Sequence, residues 1–365
     1  MRVGLVELYC GESGKIGYYN SQELGLAKAL VKRGCEVCIF MPNVSAKELK
    51  EEILSEGIIY VSCPAKSIGI HSWYDWNIIK KYNLDIVQVG ADNQLFAPNL
   101  MRFLHKNHIK AYCYIGTVES DSSNPLKKKL LSTLFKRNIR EYKRTQIFVK
   151  TESVANSLKE KGINNYVLSP VGLDTEIIPD TTGMKDIIRE KYCIDSNDKV
   201  ILFVGRIEEY KRPFELLNLA EYLKTISMKI IVIGTGSLDD ELDRRIEQAG
   251  LDDVFIREKK IPNKEIHGYY SMADYFVNFN DAEIFGMSIL EAMYQGCTVI
   301  ANEAPGPNQI IENNVSGYLV DKSEDMAKII LEGKKLNEYD IKNRIDSSFS
   351  WDSMAHKIID WANIN

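Results

Sequence analysis

The chain has 365 residues, too many for one ordinary core and suited to two domains. Hydrophobic residues make up 45% and charged residues 27%, as in a soluble globular protein, and no apolar run approaches the ~20 residues of a membrane-spanning helix. The net charge of −5 hides an asymmetry: residues 1–190 sum to +5 and the remainder to −10, so the two halves suit different partners.

Met1-Arg2 runs straight into VGLVEL, which leaves no room for a signal peptide, so a cytoplasmic location is expected. The seven cysteines are scattered and odd in number. Cys35 and Cys38 alternate within EVCIF and no second ligand pair follows, so reduced, mostly buried thiols are expected rather than zinc.

Residues 2–8 read as a buried parallel strand, since such strands are apolar on both faces. The loop CGESGKIGYYNSQ follows, then the helix ELGLAKALVKRG and the strand CEVCIFM, a βαβ opening. The loop glycines do not keep a G-x-G-x-x-G spacing; they serve as turn residues or let the backbone at Gly14-Lys15-Ile16-Gly17 approach a ligand. Further strands are read at GIIYVSC, LDIVQVG, IKAYCYIG and QIFVKT, with a helix at NLMRFLHKNH. Trp73 and Trp76 are expected in core packing, with acceptor contact as the other possibility. Residues 126–144 keep helical apolar spacing and interleave eight Lys and Arg. That pattern fits a solvated basic face or a surface that meets anionic lipid. Nucleic acid is not expected, since the chain is acidic overall and carries no nucleic-acid-binding motif.

The Pro-, Gly-, Asp- and Thr-rich stretch 169–183 marks a domain boundary. The strand DKVILFVG then empties into a loop with Arg206 and Lys211, two cations suited to a diphosphate. MKIIVIGTGS, DDVFIREKKI and ADYFVNFN are further strands, with a helix at DDELDRRIEQAG. After ADYFVNFN comes a loop with Glu283, a turn at Gly286-Met287, a helix over 288–295 ended by Gly296, and the strand CTVIA. A strand, a Gly turn and a helix start together make an anion site, because the first N–H groups of a helix have no partner inside it. Glu283 and Glu291 flank that site; carboxylates there make sense if the ligand also carries hydroxyls. The last segment, FSWDSMAHKIIDWANIN, is a helix with a stripe at Met354, Ile358 and Trp361.

FVGRIEEYK (203–211), EIFGMSILEAMYQGCTVIA (283–301), PVGLDTE (170–176) and GPNQIIENNVSGYLV together resemble the GT-B-fold retaining glycosyltransferases of family 4, the group 1 type. The resemblance covers nearly the whole chain. It implies an α/β fold of two Rossmann-like doubly wound domains facing across a cleft: 1–172 for the acceptor, 173–348 for the nucleotide sugar, and a helix at 349–365 returning to the first. It implies transfer of a sugar from a nucleotide-sugar donor, UDP in preference to GDP or ADP, to a glycan, glycolipid or lipid-linked acceptor. A GT-B-fold nucleotide-sugar epimerase and a non-catalytic partner subunit are the alternatives.

In that resemblance Arg206 and Lys211, beside Gly205, hold the diphosphate, and Glu283 binds the donor sugar; these three side chains are the catalytic candidates. Gly286 and Met287 offer backbone N–H groups, Glu291 binds the ribose, and Gly14 and Gly17 approach the donor from the first domain. No metal or other cofactor is expected, because Arg and Lys take the place of Mg²⁺. A peripheral contact of the basic helix with the inner face of an anionic membrane is also expected. The chain departs from the family at three places. Gly116-Thr117-Val118-Glu119 stands where many members carry a His, leaving Thr117 or Glu119 as its substitute. Asn280 replaces a Ser, and Arg212 replaces a Gly.

Overall fold

The computed structural model describes residues 1–11, 21–118 and 125–364; the side chains of 125–132 and 134 are not described. The chain divides into two compact units, one of Met1–Gly172 with Ser350–Asn365 and one of Leu173–Phe349.

Unit 1 runs β1 (Arg2–Val6), α1 (Gln22–Lys32), β2 (Glu36–Asn43), β3 (Lys50–Ser55), β4 (Ile58–Ile68), β5 (His71–Tyr74), α2 (Asn77–Lys80), β6 (Ile86–Gly90), α3 (Ala97–Lys106), β7 (Lys110–Ile115), α4 (Pro125–Tyr142), β8 (Gln146–Val149), α5 (Glu152–Glu160) and β9 (Tyr166–Leu168). The sheet order is β3-β4-β2-β1-β6-β7-β8-β9, with β5 beside β4. Val3, Leu5 and Val6 of β1 are fully buried, because a central parallel strand has helices over both faces.

The antiparallel strands β3 and β5 are not evident in the sequence. KEEILS in β3 is charged and exposed, as an edge strand that must resist further pairing should be. Trp73 packs on Phe96 at 4.6 Å between ring centroids, and Trp76 on Phe103 at 6.0 Å. All seven cysteines are free; Cys193 is exposed and Cys10 half-buried, while the other five are buried.

Unit 2 runs α6 (Met184–Lys191), β10 (Lys199–Val204), α7 (Glu215–Tyr222), β11 (Met228–Ile233), α8 (Asp239–Gln248), β12 (Phe255–Glu258), α9 (Asn263–Met272), β13 (Tyr275–Asn278), α10 (Met287–Tyr294), β14 (Thr298–Asn302), α11 (Pro305–Ile310), β15 (Tyr318–Val320), α12 (Ser323–Leu331) and α13 (Glu338–Ser348). Its sheet is parallel throughout, in the order β12-β11-β10-β13-β14-β15. Two apolar clusters cover its faces, one around Leu202, Phe276 and Leu290, the other around Ile201, Val232 and Val277.

The last helix, α14 (Trp351–Ile364), packs on α1 within unit 1. A Cβ on Gly25 would lie 2.2 Å from the Trp351 indole nitrogen, so only glycine lets the two helices meet there. Arg33 pairs with Asp352 at 2.7 Å, and Lys357 donates to the Leu168 carbonyl at 2.9 Å. Among the described residues no helix is long and apolar enough to cross a membrane.

Candidate functional site

The site in unit 2 is assembled at the carboxyl ends of β10, β11 and β13. Beyond β10 the chain stays paired with its neighbour: Gly205 N–H donates to Ile233 O and Ile207 N–H to Thr235 O, each at 3.0 Å. The approach is tight. A Cβ on Gly234 (φ +141°) would sit 1.9 Å from Gly205 O, and one on Gly236 would sit 2.2 Å from Ile207 O. Glu208 accepts from the Ser237 N–H (3.0 Å) and hydroxyl (2.6 Å), and these bonds, with Arg206 adding less, hold its carboxyl below the usual range. The backbone around Arg206 is thus fixed while its guanidinium stays exposed, 5.5 Å from the Tyr210 ring centroid.

A single 3-10 turn, Glu209–Lys211, follows and brings Lys211 inward. Arg212 then takes a left-handed backbone (φ +53°), the conformation that favours the glycine of the family pattern. Its guanidinium bridges Asp281 at 3.0 Å and Glu215 at 3.2 Å, tying this loop to the one after β13.

That second loop is set by Asn280. Its N–H donates to Asn278 Oδ1 (2.9 Å) and its own Oδ1 accepts from the Ala282 N–H (3.0 Å), an Asx turn. Its Nδ2 then donates to Glu283 Oε2 at 3.1 Å, and the same oxygen pairs with Lys211 Nζ. The Lys211 and Glu283 side chains are only 17% and 14% exposed, so the pair is largely shielded from water. The Glu283 carbonyl accepts from the Gly306 N–H at 2.8 Å. Gly286 (φ +103°) then turns the chain into α10, which has no side-chain cap at its start. Met287 opens that helix, and Glu291 lies buried one turn on, accepting from the Tyr270 hydroxyl at 2.9 Å.

Gly205, Arg206, Lys211, Glu283, Gly286, Met287 and Glu291 are therefore gathered within one unit. Thr117 belongs to the other unit, half-buried just past β7. Gly14, Gly17 and Glu119 lie outside the described residues. Tyr270 was not foreseen, because nothing in KEIHGYYSM distinguishes it from a core tyrosine. Among the described residues no three His, Cys, Asp or Glu side chains gather as a metal site.

What this arrangement offers is two cations on a rigid loop, one of them already held by a carboxylate, beside a glycine-opened helix start. An anion can take the cations, and the released carboxylate can accept hydroxyl donors.

A family model described as "Glycosyl transferases group 1" matches residues 184–360. A D-inositol 3-phosphate glycosyltransferase of Arthrobacter sp. (strain FB24) is 29% identical over 171 residues, 45% of this chain and 40% of the relative. An alpha-monoglucosyldiacylglycerol synthase of Streptococcus pneumoniae is 28% identical over 165 residues, 43% of this chain and 37% of the relative. The matched stretch thus spans about two-fifths of the length of these curated relatives. Among solved structures, the sucrose-phosphate synthase of Thermosynechococcus elongatus matches with a TM-score of 0.75 at 15% identity, over 100% of this chain and 98% of that one. Anabaena HepE in complex with UDP and glucose matches with a TM-score of 0.69 at 15% identity, over 100% of both chains.

Proposed function

We propose that the chain, whose residues 184–360 match the glycosyl transferases group 1 model and whose fold is that of the GT-B enzymes, transfers a sugar from a nucleotide-sugar donor, with retention at the anomeric carbon. The observation that carries this reading is the Lys211–Glu283 pair, oriented by Asn280 and set beside Arg206 and the start of α10.

Donor binding exchanges partners in this pair. The diphosphate takes Arg206 and Lys211, and Glu283, freed of its lysine, accepts hydroxyls of the donor sugar. Glu291, held by Tyr270, accepts the ribose hydroxyls. Departure of the nucleoside diphosphate builds negative charge, which the fixed cations stabilise with no metal ion. The anomeric carbon becomes oxocarbenium-like, and the leaving phosphate takes the proton of an acceptor that attacks from the same face.

UDP is the nucleotide we favour, a choice supported by the HepE structures described with UDP and UDP-glucose. A glycan, glycolipid or lipid-linked acceptor is supported by the diacylglycerol named in the streptococcal relative. In this reading unit 1 receives the acceptor and the protein works in the cytoplasm, at the inner face of the membrane.

The test is a thermal-shift screen of nucleotide sugars, followed by donor turnover. A donor above its dissociation constant raises the melting temperature by mass action. If no nucleotide or nucleotide sugar binds or is turned over, the enzyme reading fails.

A further inference from the structure

In the exchange of partners just described, the Lys211–Glu283 pair opens, and a link between the loop after β10 and the loop after β13 is lost. A second ion pair joins the same two loops without a donor-binding side chain. Arg212 Nη1 donates to Asp281 Oδ2 at 3.0 Å, and Nη2 to Glu215 Oε1 at 3.2 Å.

Glu215 is the fixed end of this bridge. It lies in the first turn of α7, and its other oxygen accepts from the Asn218 amide at 3.1 Å and from the Ser323 hydroxyl of α12 at 2.7 Å. Burial pushes its carboxyl up, but these bonds and Arg212 outweigh it and hold the group below the usual range.

Asp281 is the held end. It stands inside the Asx turn between Asn280 and Ala282, two residues before Glu283. Asp281, Ala282 and Ile284 are exposed, so burial does little to place this stretch and polar contacts must. The Gly306 N–H fixes it at the Glu283 carbonyl, and Arg212 fixes it at Asp281.

The backbone of Arg212 (φ +53°, ψ +49°) lies where a Cβ is disfavoured and glycine is at ease. A glycine there relieves that strain and removes the bridge, so the stability of the fold and the placement of the loop respond in opposite senses.

We propose that Arg212 is a positioning residue: through Asp281 it keeps the Glu283 loop in register with the diphosphate loop while Lys211 leaves Glu283 for the donor. This rests on the transferase reading. A free nucleoside diphosphate carries no sugar for Glu283 and does not call on the bridge, whereas the nucleotide sugar does.

The experiment compares the full chain with Arg212→Gly, Asp281→Asn and the double variant. Hydrolysis of UDP-glucose, UDP-galactose, UDP-N-acetylglucosamine and GDP-mannose is measured first, and the donor the parent turns over fastest is carried to the variants. The Arg212 and Asp281 side chains are 37% and 65% exposed, so each single variant lowers kcat by about 3- to 5-fold, as much as an ion pair this exposed contributes. Asp281→Asn leaves the Arg212 backbone as it is and still gives this loss. The double variant loses no more than the larger single loss, because both changes break one contact. Affinity for the matching UDP or GDP stays within about 2-fold, and the melting temperature of Arg212→Gly equals or exceeds the parent's. Three results overturn the proposal: kcat unchanged in both single variants, losses that multiply in the double variant, or diphosphate affinity and melting temperature that fall in step with kcat. A parent that binds neither diphosphate and hydrolyses none of the four donors fails the transferase reading itself, and the positioning role falls with it; an active parent with unaffected variants sinks the positioning role alone.

Discussion

Replacing Lys211 by methionine keeps most of its aliphatic stem and removes the ammonium. The proposed transition state loses one of its two charge contacts to the departing diphosphate, worth about 3–4 kcal/mol, or on the order of 100- to 1000-fold in turnover. The free protein suffers separately. Glu283, 14% exposed, keeps Asn280 but loses its cation. Breaking a fully buried pair costs about 3–5 kcal/mol, and the residual exposure here reduces that to about 1–3 kcal/mol. Adding Glu283→Gln removes the stranded charge, so Lys211→Met/Glu283→Gln is more stable than Lys211→Met alone, yet no more active. Urea denaturation measures the first effect and donor turnover the second, with UDP titration separating binding from chemistry. Turnover of Lys211→Met within 5-fold of the parent, or activity restored along with stability in the double variant, refutes the partner-exchange reasoning.

Tyr270→Phe removes the phenol that holds Glu291 at 2.9 Å. A ribose contact counts equally before and during the chemistry, so KM for the donor rises about 3- to 10-fold with kcat unchanged; a kcat effect instead would contradict a ground-state role. His267 is 1% exposed, and burial lowers its pKa to about 4. The unfolded chain takes up a proton below about pH 6.5 that the folded chain refuses, so this residue's contribution is constant above that pH and falls between 6.5 and 4, by about 3 kcal/mol at most. His267→Gln should flatten that slope in urea melts collected across this range, and an unchanged slope rejects the assignment. Lys136, Arg140, Lys143 and Arg144 of the basic segment are exposed, whereas the side chains of Lys127–Lys129 lie outside the described residues. If this face meets anionic lipid, changing those four to Gln weakens binding to phosphatidylserine vesicles by roughly 1 kcal/mol per residue, and binding that ignores both the changes and salt counts against it.

The sequence disclosed the two halves of the molecule unequally, for a physical reason. Most of the unit 2 site is written in two short stretches, 203–212 and 280–291, each a strand end with its own loop or helix. Spacing within one loop is local information, so Arg206, Lys211, Glu283 and Glu291 were all nameable. Even the departures there have local explanations. Arg212 stands in left-handed backbone and offsets it with two ion pairs, while Asn280 builds the Asx turn and also orients Glu283. The strand β3 left no such trace, because an exposed, charged strand has no apolar period to read, and β5, at four residues, is too short to show one. The polar cluster of Glu7, Asp92, Tyr114 and Lys150 in unit 1, in which Lys150 bonds Asp92 at 2.7 Å, is illegible for a different cause. Residues 7, 92, 114 and 150 come from four strands, and each looks ordinary in its own stretch. Only the parallel register of β1, β6, β7 and β8 places them at one end of the sheet. The family match, residues 184–360, leaves 1–172 outside it.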